Sequence, residues 1–303
     1  MFPFIPGKSA SIPDPSQKND NGIFGFGAIT GTYTAVSNIV SNVGVLASDV
    51  TGVGTIRGRL GACEYSHNKG IFGFGYNDAT AYSMTNKVSS VGVVATDTSG
   101  LGTARKYIGA CSFGGSEGIF GFGTNAALVG YTNLVSDVGV VAADVAAVGT
   151  ARRDVMATEY GETKGVFGFG IETFPTFSNE INLVSDVGVV ATGSTGVGTA
   201  RGLGGACNYG EDKGIFAYGY DYLSMSNLIS NAGGVAADVT GVGTGRYGVT
   251  ATQYGQDKGI FGFGDTAGGL SNITNLVSNL GVIATDLSGT GTTRYGGNSC
   301  SYN

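Results

Sequence analysis

The chain has one histidine, four cysteines and five prolines in 303 residues, and only 13% of it is charged, about half the usual share near 25%. Each scarcity excludes something. One histidine rules out His-rich zinc chemistry, and without a Cys-x-x-Cys pairing the four cysteines give no metal-ligand pattern. Five prolines without a Gly-X-Y period exclude collagen. Lys and Arg number 16 against 22 Asp and Glu, a net charge of −6, and no basic cluster occurs along the chain. Nucleic acid, and anionic surfaces in general, are poor partners on this count. No apolar run approaches ~18 residues, so no membrane insertion is expected. The opening MFPFIPGKSASIPDPSQ lacks the basic start and continuous apolar stretch of a signal peptide, and synthesis in the cytoplasm is the expectation.

What is abundant is glycine, 56 residues, more than twice the usual ~7%. A hydrophobic fraction of 42% is too high for a disordered chain. The glycines are periodic. The hexapeptide GIFGFG at Gly22 returns at Gly70, Gly118, Gly165 (GVFGFG), Gly214 (GIFAYG) and Gly259, spaced 48, 48, 47, 49 and 45 residues apart. Around each copy the order is constant: an arginine, a small-residue run ending in Tyr or Phe, a polar turn, GIFGFG, a variable stretch, an asparagine, then GVVATD-like and TGVGT-like runs. Each unit holds four short runs rich in Val, Ile, Phe and Tyr, the signature of strands and turns, and no stretch has a helical period.

The chain ends decide how such units are arranged. The last copy stops after Arg294 to Asn303, the first run of a seventh unit, and the first copy lacks that run. Joining Tyr302 and Asn303 to Asn19, Asp20, Asn21 and Gly22 reproduces the frame of Tyr209 to Gly214 with no residue over. The expected fold is therefore all-β: a closed six-bladed β-propeller of four-stranded blades, with the C-terminal strand completing the first blade. Residues 19–303 form the propeller and residues 1–18 an N-terminal arm. Strand alternation predicts that Phe24 and Phe26 point one way and Ile23 and Gly25 the other, the glycine admitting the next blade's phenylalanines. The small-residue run around Ala62 and Cys63 is expected nearest the axis.

Repeated polar residues read as scaffold. Arg57, Arg105, Arg152, Arg201, Arg246 and Arg294 occupy one position, expected to satisfy turn carbonyls or a carboxylate between blades. Asp49, Asp97, Asp144, Asp238 and Asp286 occupy another, with Gly193 in the fourth copy. Asn38, Asn86, Asn133, Asn182, Asn227 and Asn275 are expected to bond local backbone. Cys63, Cys111, Cys207 and Cys300 alternate with Thr158 and Thr252 in one slot and read as free thiols in a small space, because equivalent positions of different blades lie too far apart for a disulfide. His67 falls in a polar turn. Glu159 with Glu162, and Glu211 with Asp212, read as solvated turn residues. No catalytic residue, metal site or cofactor site is expected.

Non-repeated residues are the candidates for function. Between the GFG and the asparagine the six segments differ in length and content, and all six should emerge on one face. They carry Tyr33, Tyr76, Tyr82, Tyr131, Phe174, Phe177, Tyr220 and Tyr222, the candidate binding face, since aromatic rings offer contact area at low entropic cost to sugars or protein. Drift in unconstrained loops would give the same variety. In the arm, Phe2, Phe4 and Ile5 are candidate anchors for a partner, or for the chain's own propeller.

The unit resembles the kelch-type repeat in its arginine, small residues, turn and aromatic strand ending in glycine, and departs from it in lacking paired glycines and a late tryptophan. The wording NLVS, GVVAT, TGVGTAR and KGIFGFG over residues 19–303 is similar to repetitive virion and tail-fibre-like proteins of tailed bacteriophages. That resemblance implies a non-enzymatic structural protein, a tail fibre, adhesin or surface decoration, assembled in the host cytoplasm and displayed on the virion. Its arm would anchor to other virion proteins and its variable face would bind a host-surface glycan or protein. A cellular lectin or protein-interaction propeller, and a glycan-cleaving propeller, are the alternatives.

Overall fold

The computed structural model describes residues 18–146 and 148–303, and every regular element among them is a β-strand. Six antiparallel sheets repeat one plan. A small-residue strand comes first: Gly61–Tyr65, Gly109–Phe113, Met156–Tyr160, Gly205–Tyr209, Thr250–Tyr254 and Asn298–Tyr302 in sheets two to six and one. The phenylalanine strand lies in the middle: Asn21–Ile29, Lys69–Gly73, Glu117–Gly121, Lys164–Thr173, Lys213–Gly219 and Lys258–Thr266. The asparagine strand follows: Thr32–Val40, Thr85–Val88, Thr132–Val135, Thr176–Val184, Leu223–Ile229 and Gly269–Val277. In the first sheet the small-residue strand is the C-terminus, pairing Asn21 with Tyr302 through to Gly25 with Asn298.

The fourth run is not the full strand that the repeat suggests. It meets the asparagine strand mainly at isolated bridges, such as Ser37 with Val50 and Val40 with Leu46, and only Ser194–Thr195 forms a regular short strand there. Three residues on one side span four on the other, a bulge that breaks the ladder. The asparagine side chain occupies the gap: Asn38 Nδ2 donates to Ala47 O and to Asp49 Oδ1.

A second bulge corrects the expected facing of the phenylalanines. Phe26, Phe74, Phe122, Phe169, Tyr218 and Phe263 all have φ between 60° and 64°, and the register slips at this point, as between Gly25 and Gly27. The slip sends the two aromatic residues of each strand to opposite neighbours. Phe24 packs edge-on against Phe263 of the sixth sheet, while Phe26 packs against Phe72 of the second. The series continues through Phe74–Phe120, Phe122–Phe167, Phe169–Phe216 and Tyr218–Phe261, with centroids 5.2 to 5.5 Å apart across the six contacts. Such edge-to-face pairs each add about 0.5–1.5 kcal/mol beyond burial. The glycine between the two aromatics does admit the neighbouring ring: a Cβ on Gly121 would lie 2.8 Å from Phe167.

Six hydrophobic cores result, each between two sheets, and the sixth joins Phe24 and Val40 to Tyr254, Ile260 and Phe263. The repeated arginines lock the same seams. Arg57 is fully buried, lies 4.3 Å over the Phe26 ring, and donates to Phe74 O, Thr55 O and Asn86 Oδ1. Its first bond satisfies the carbonyl that the bulge removes from the ladder. Thr55 in turn donates to Asp97 of the next sheet. Arg294 makes the corresponding bond to Asn38, and Thr292 to Asp49, so the last repeat grips the first. In the fourth sheet, where Gly193 replaces the aspartate, Glu180 accepts from Thr150 N and Arg152 instead, and a Cβ on Gly193 would collide with its carboxylate.

All four cysteines are free and buried. Cys63 Sγ lies against Gly118 of the next sheet, where a Cβ would come within 2.4 Å, and Thr158 fills the same slot against Gly214. The volume of the slot accounts for the Cys/Thr alternation.

Candidate functional site

Residues from all six small-residue strands line one narrow cavity of about 60 Å³. That is far below the ~300 Å³ of ordinary ligand pockets, so the cavity itself admits little more than water, and a ligand approaching it would be received at a mouth. At one mouth six residues share a left-handed backbone, φ between 53° and 64°: Arg59, Tyr107, Asp154, Leu203, Gly248 and Gly296. Their backbones hydrogen-bond in sequence. Tyr107 N donates to Arg59 O, Asp154 N to Tyr107 O, Leu203 N to Asp154 O, Gly248 N to Leu203 O, Gly296 N to Gly248 O, and Arg59 N to Gly296 O.

The residues just before these are Gly58, Lys106, Arg153, Gly202, Tyr247 and Tyr295. These twelve positions follow the invariant arginine by one and two residues, and they hold three cations, one carboxylate and three tyrosines. Tyr107 is their centre: the Arg59 and Arg153 guanidinium carbons and the Lys106 ammonium lie 5.5, 4.9 and 5.5 Å from its ring centroid. Arg59 also lies 4.5 Å over Tyr295, and Lys106 lies 4.0 Å over Tyr76. Arg59 rests flat on Gly296, where a Cβ would come within 3.0 Å of three of its side-chain atoms. Asp154 pairs with Arg153 at 2.8 Å, and burial pushes its carboxyl up to about 6 against the pull of Arg59 and Arg153. The expectation of no basic cluster holds along the sequence and fails in space, because the cations stand one repeat apart.

From this mouth an aromatic belt runs outward. Tyr295 meets Tyr247, Tyr247 meets Tyr220 and Tyr222, and Tyr220 stacks on Phe177 and touches Phe174. On the other side Tyr33 packs on Tyr76, which packs on Tyr107. Of the eight aromatic residues singled out in the variable segments, six therefore join two clusters. Tyr82 and Tyr131 stand apart from both. Asp78 accepts from the Tyr33 hydroxyl and Asp265 from that of Tyr247, and each bond, after burial, raises the phenol above its ordinary range. Tyr107, Tyr247 and Tyr295, which link loops to mouth, were not among the sequence candidates. Their signal was available: two positions that differ among the six copies directly beside an arginine that never does.

At the other end of the cavity the first described residues enter. Lys18 Nζ donates to Glu159 Oε1 at 2.7 Å, and Asn19 bonds Glu64 and Ser301. Glu159 is thus buried rather than solvated as expected, because strand alternation turns it to the cavity side, and burial pushes its carboxyl up to about 7. Glu162 and Glu211 are exposed. His67 lies half-buried in its turn at this end. Phe2, Phe4 and Ile5 lie outside the described residues, as does nearly all of the arm. Neither a scan of protein-family models nor a search of curated proteins found a match to this chain.

Proposed function

We propose that the six sheets are blades of a closed six-bladed β-propeller and that the chain is a non-enzymatic binding protein, a surface component of a phage virion whose variable face takes up a host-surface ligand. Closure is supported by three cyclic sets of contacts. The edge-to-face aromatic pairs, the mouth hydrogen bonds and the bonds at the opposite end all return from the last repeat to the first, the final ones being Gly255 N to Asp20 O and Asn303 N to Asn68 O. The binding role rests on one observation. Arg59, Tyr107, Asp154 and Leu203 hold a left-handed backbone that costs a non-glycine residue about 1–2 kcal/mol, at a position where Gly248 and Gly296 serve in other copies. The repeated arginines, asparagines and aspartates, by contrast, are consumed in bonding one another, which leaves the non-repeated positions to contact a ligand. Anchoring through residues 1–18 and display on the particle follow from the resemblance.

Pull-downs from the native source test both halves. The full chain, a chain starting at Lys18, and a Phe174→Ser, Tyr222→Ser variant are compared, with bound material identified by mass spectrometry and glycan analysis. Particle proteins held only by chains that keep the arm, and cell-surface material lost only with the two aromatics, are expected. Identical capture by all three would refute the proposal.

A further inference from the structure

The three cations around Tyr107 are the least explained charges in the molecule. Like charges grouped in a half-buried mouth repel one another, and the only carboxylate among them, Asp154, is already paired to Arg153. The Arg59 guanidinium and the Lys106 ammonium have no hydrogen-bond acceptor among the described residues: Asp154 attracts Arg59 without bonding it, the Gly296 backbone supports Arg59, and aromatic faces hold both cations. Cation–π contacts fix the position of such groups and leave their N–H donors free to bind. In a chain of net charge −6, this concentrates positive charge where an anion can reach it.

The belt identifies what carries the anion. From Arg59 the rings run without a break through Tyr295, Tyr247 and Tyr220 to Phe177 and Phe174, and Phe174 and Tyr222 are 54% and 42% exposed. Rings in a row, half-buried at Tyr295, Tyr247 and Tyr220 and exposed at the outer end, suit an extended ligand with apolar faces of its own, and a pyranose chain presents its C–H faces this way. We infer that the mouth and belt bind an acidic oligosaccharide, with a sugar carboxylate received between Arg59 and Lys106 and neighbouring sugar rings stacked on Tyr247, Tyr220 and Phe174. The inference rests on reading this face as the binding face, and it names the class of ligand.

Calorimetric titration of the full chain with tetragalacturonate, its methyl ester and a thymidine tetranucleotide tests it, because the ester keeps the shape and loses the charge. The acid is expected to bind about tenfold or more tighter than the ester. Arg59→Asn, which a left-handed backbone tolerates, should erase that preference, and Lys213→Asn, which removes the same charge at a distant turn, should retain it. Equal binding of acid and ester, preference for the nucleotide, or binding of none overturns the inference. The wider reading is judged separately by the capture experiment with Phe174→Ser and Tyr222→Ser, which needs no acidic ligand.

Discussion

Arg57 and Arg59 stand two residues apart and belong to different regimes. Arg57 is fully buried, bonds three oxygens, covers a phenylalanine ring, and has a counterpart in every repeat. Arg59 is half-buried, lies between two tyrosines with its guanidinium unbonded among the described residues, and is replaced by Tyr107, Asp154, Leu203, Gly248 and Gly296 elsewhere. The seam and the mouth are thus built from adjacent residues of one loop. A repeated residue here joins neighbouring sheets, and the residues one and two positions later, which escape repetition, are left to the mouth.

The largest loss of stability is expected at the seam. Arg105→Ala leaves Asn133 Oδ1 and Phe122 O without their donor and uncovers Phe74, and is expected to cost about 3–5 kcal/mol in chemical unfolding. A loss below ~1 kcal/mol would mean that the arginines are not what locks the sheets.

Close approach of rings to glycine gives the next effect. Gly121→Val forces carbon into the Phe167 ring and should destabilise by about 1–3 kcal/mol in the same assay. Gly31→Ala, in open space at a loop tip, serves as the contrast, although its positive φ adds a small strain of its own.

Titration separates the regions by sign. Burial pushes Asp49, Asp97, Asp144, Asp238 and Asp286 upward, but bonds from threonine and asparagine outweigh it and hold them below the ordinary carboxylate range. Lowered folded values mean stability that is present above ~4 and lost as pH falls through them. Asp154 and Glu159, raised to about 6 and about 7, act oppositely: their contribution is present below ~4 and lost as pH rises through those values. Melting temperature should therefore peak near pH ~4–5 rather than at neutrality. Glu159→Gln should flatten the decline toward pH 7, and a profile unchanged by that substitution would contradict the assignment.

A smaller test concerns the fourth sheet. Gly193→Asp alone places a carboxylate on Glu180 and should cost roughly 1 kcal/mol, whereas adding Glu180→Met restores the arrangement of the other copies and should recover most of it. Additive losses in the double variant would count against the exchange. Smallest of all is Arg59→Asn, expected to change stability by less than ~0.5 kcal/mol while altering binding. A loss comparable to that of Arg105→Ala would make Arg59 part of the lock.

Much of this was legible in the sequence because each sheet is specified locally and the plan is repeated six times. The GIFGFG spacing placed the middle strands, the truncated seventh unit placed the C-terminal strand beside the first, and the Cys/Thr slot gave buried, unpaired thiols. The opposite facing of Phe24 and Phe26 was not legible, since alternation holds only where no bulge intervenes, and at the equivalent bulge of the next sheet the freed carbonyl of Phe74 is taken by the side chain of Arg57, 17 residues away in the chain. The reduced fourth strand escaped for a related reason, an asparagine side chain standing in for ladder bonds.

The sequence by itself determined the number of units, their strands and the residues that recur. Only the tertiary structure decided where the exceptions meet. Lys106 and Arg153 are 47 residues apart, and both are as distant in the chain from Arg59 as one and two repeats require. Successive repeats turn the two positions after the invariant arginine toward one mouth, so Arg59 and Arg153, one repeat to either side, join Lys106 at the Tyr107 ring, and the charge they create belongs to the packed sheets together rather than to any repeat.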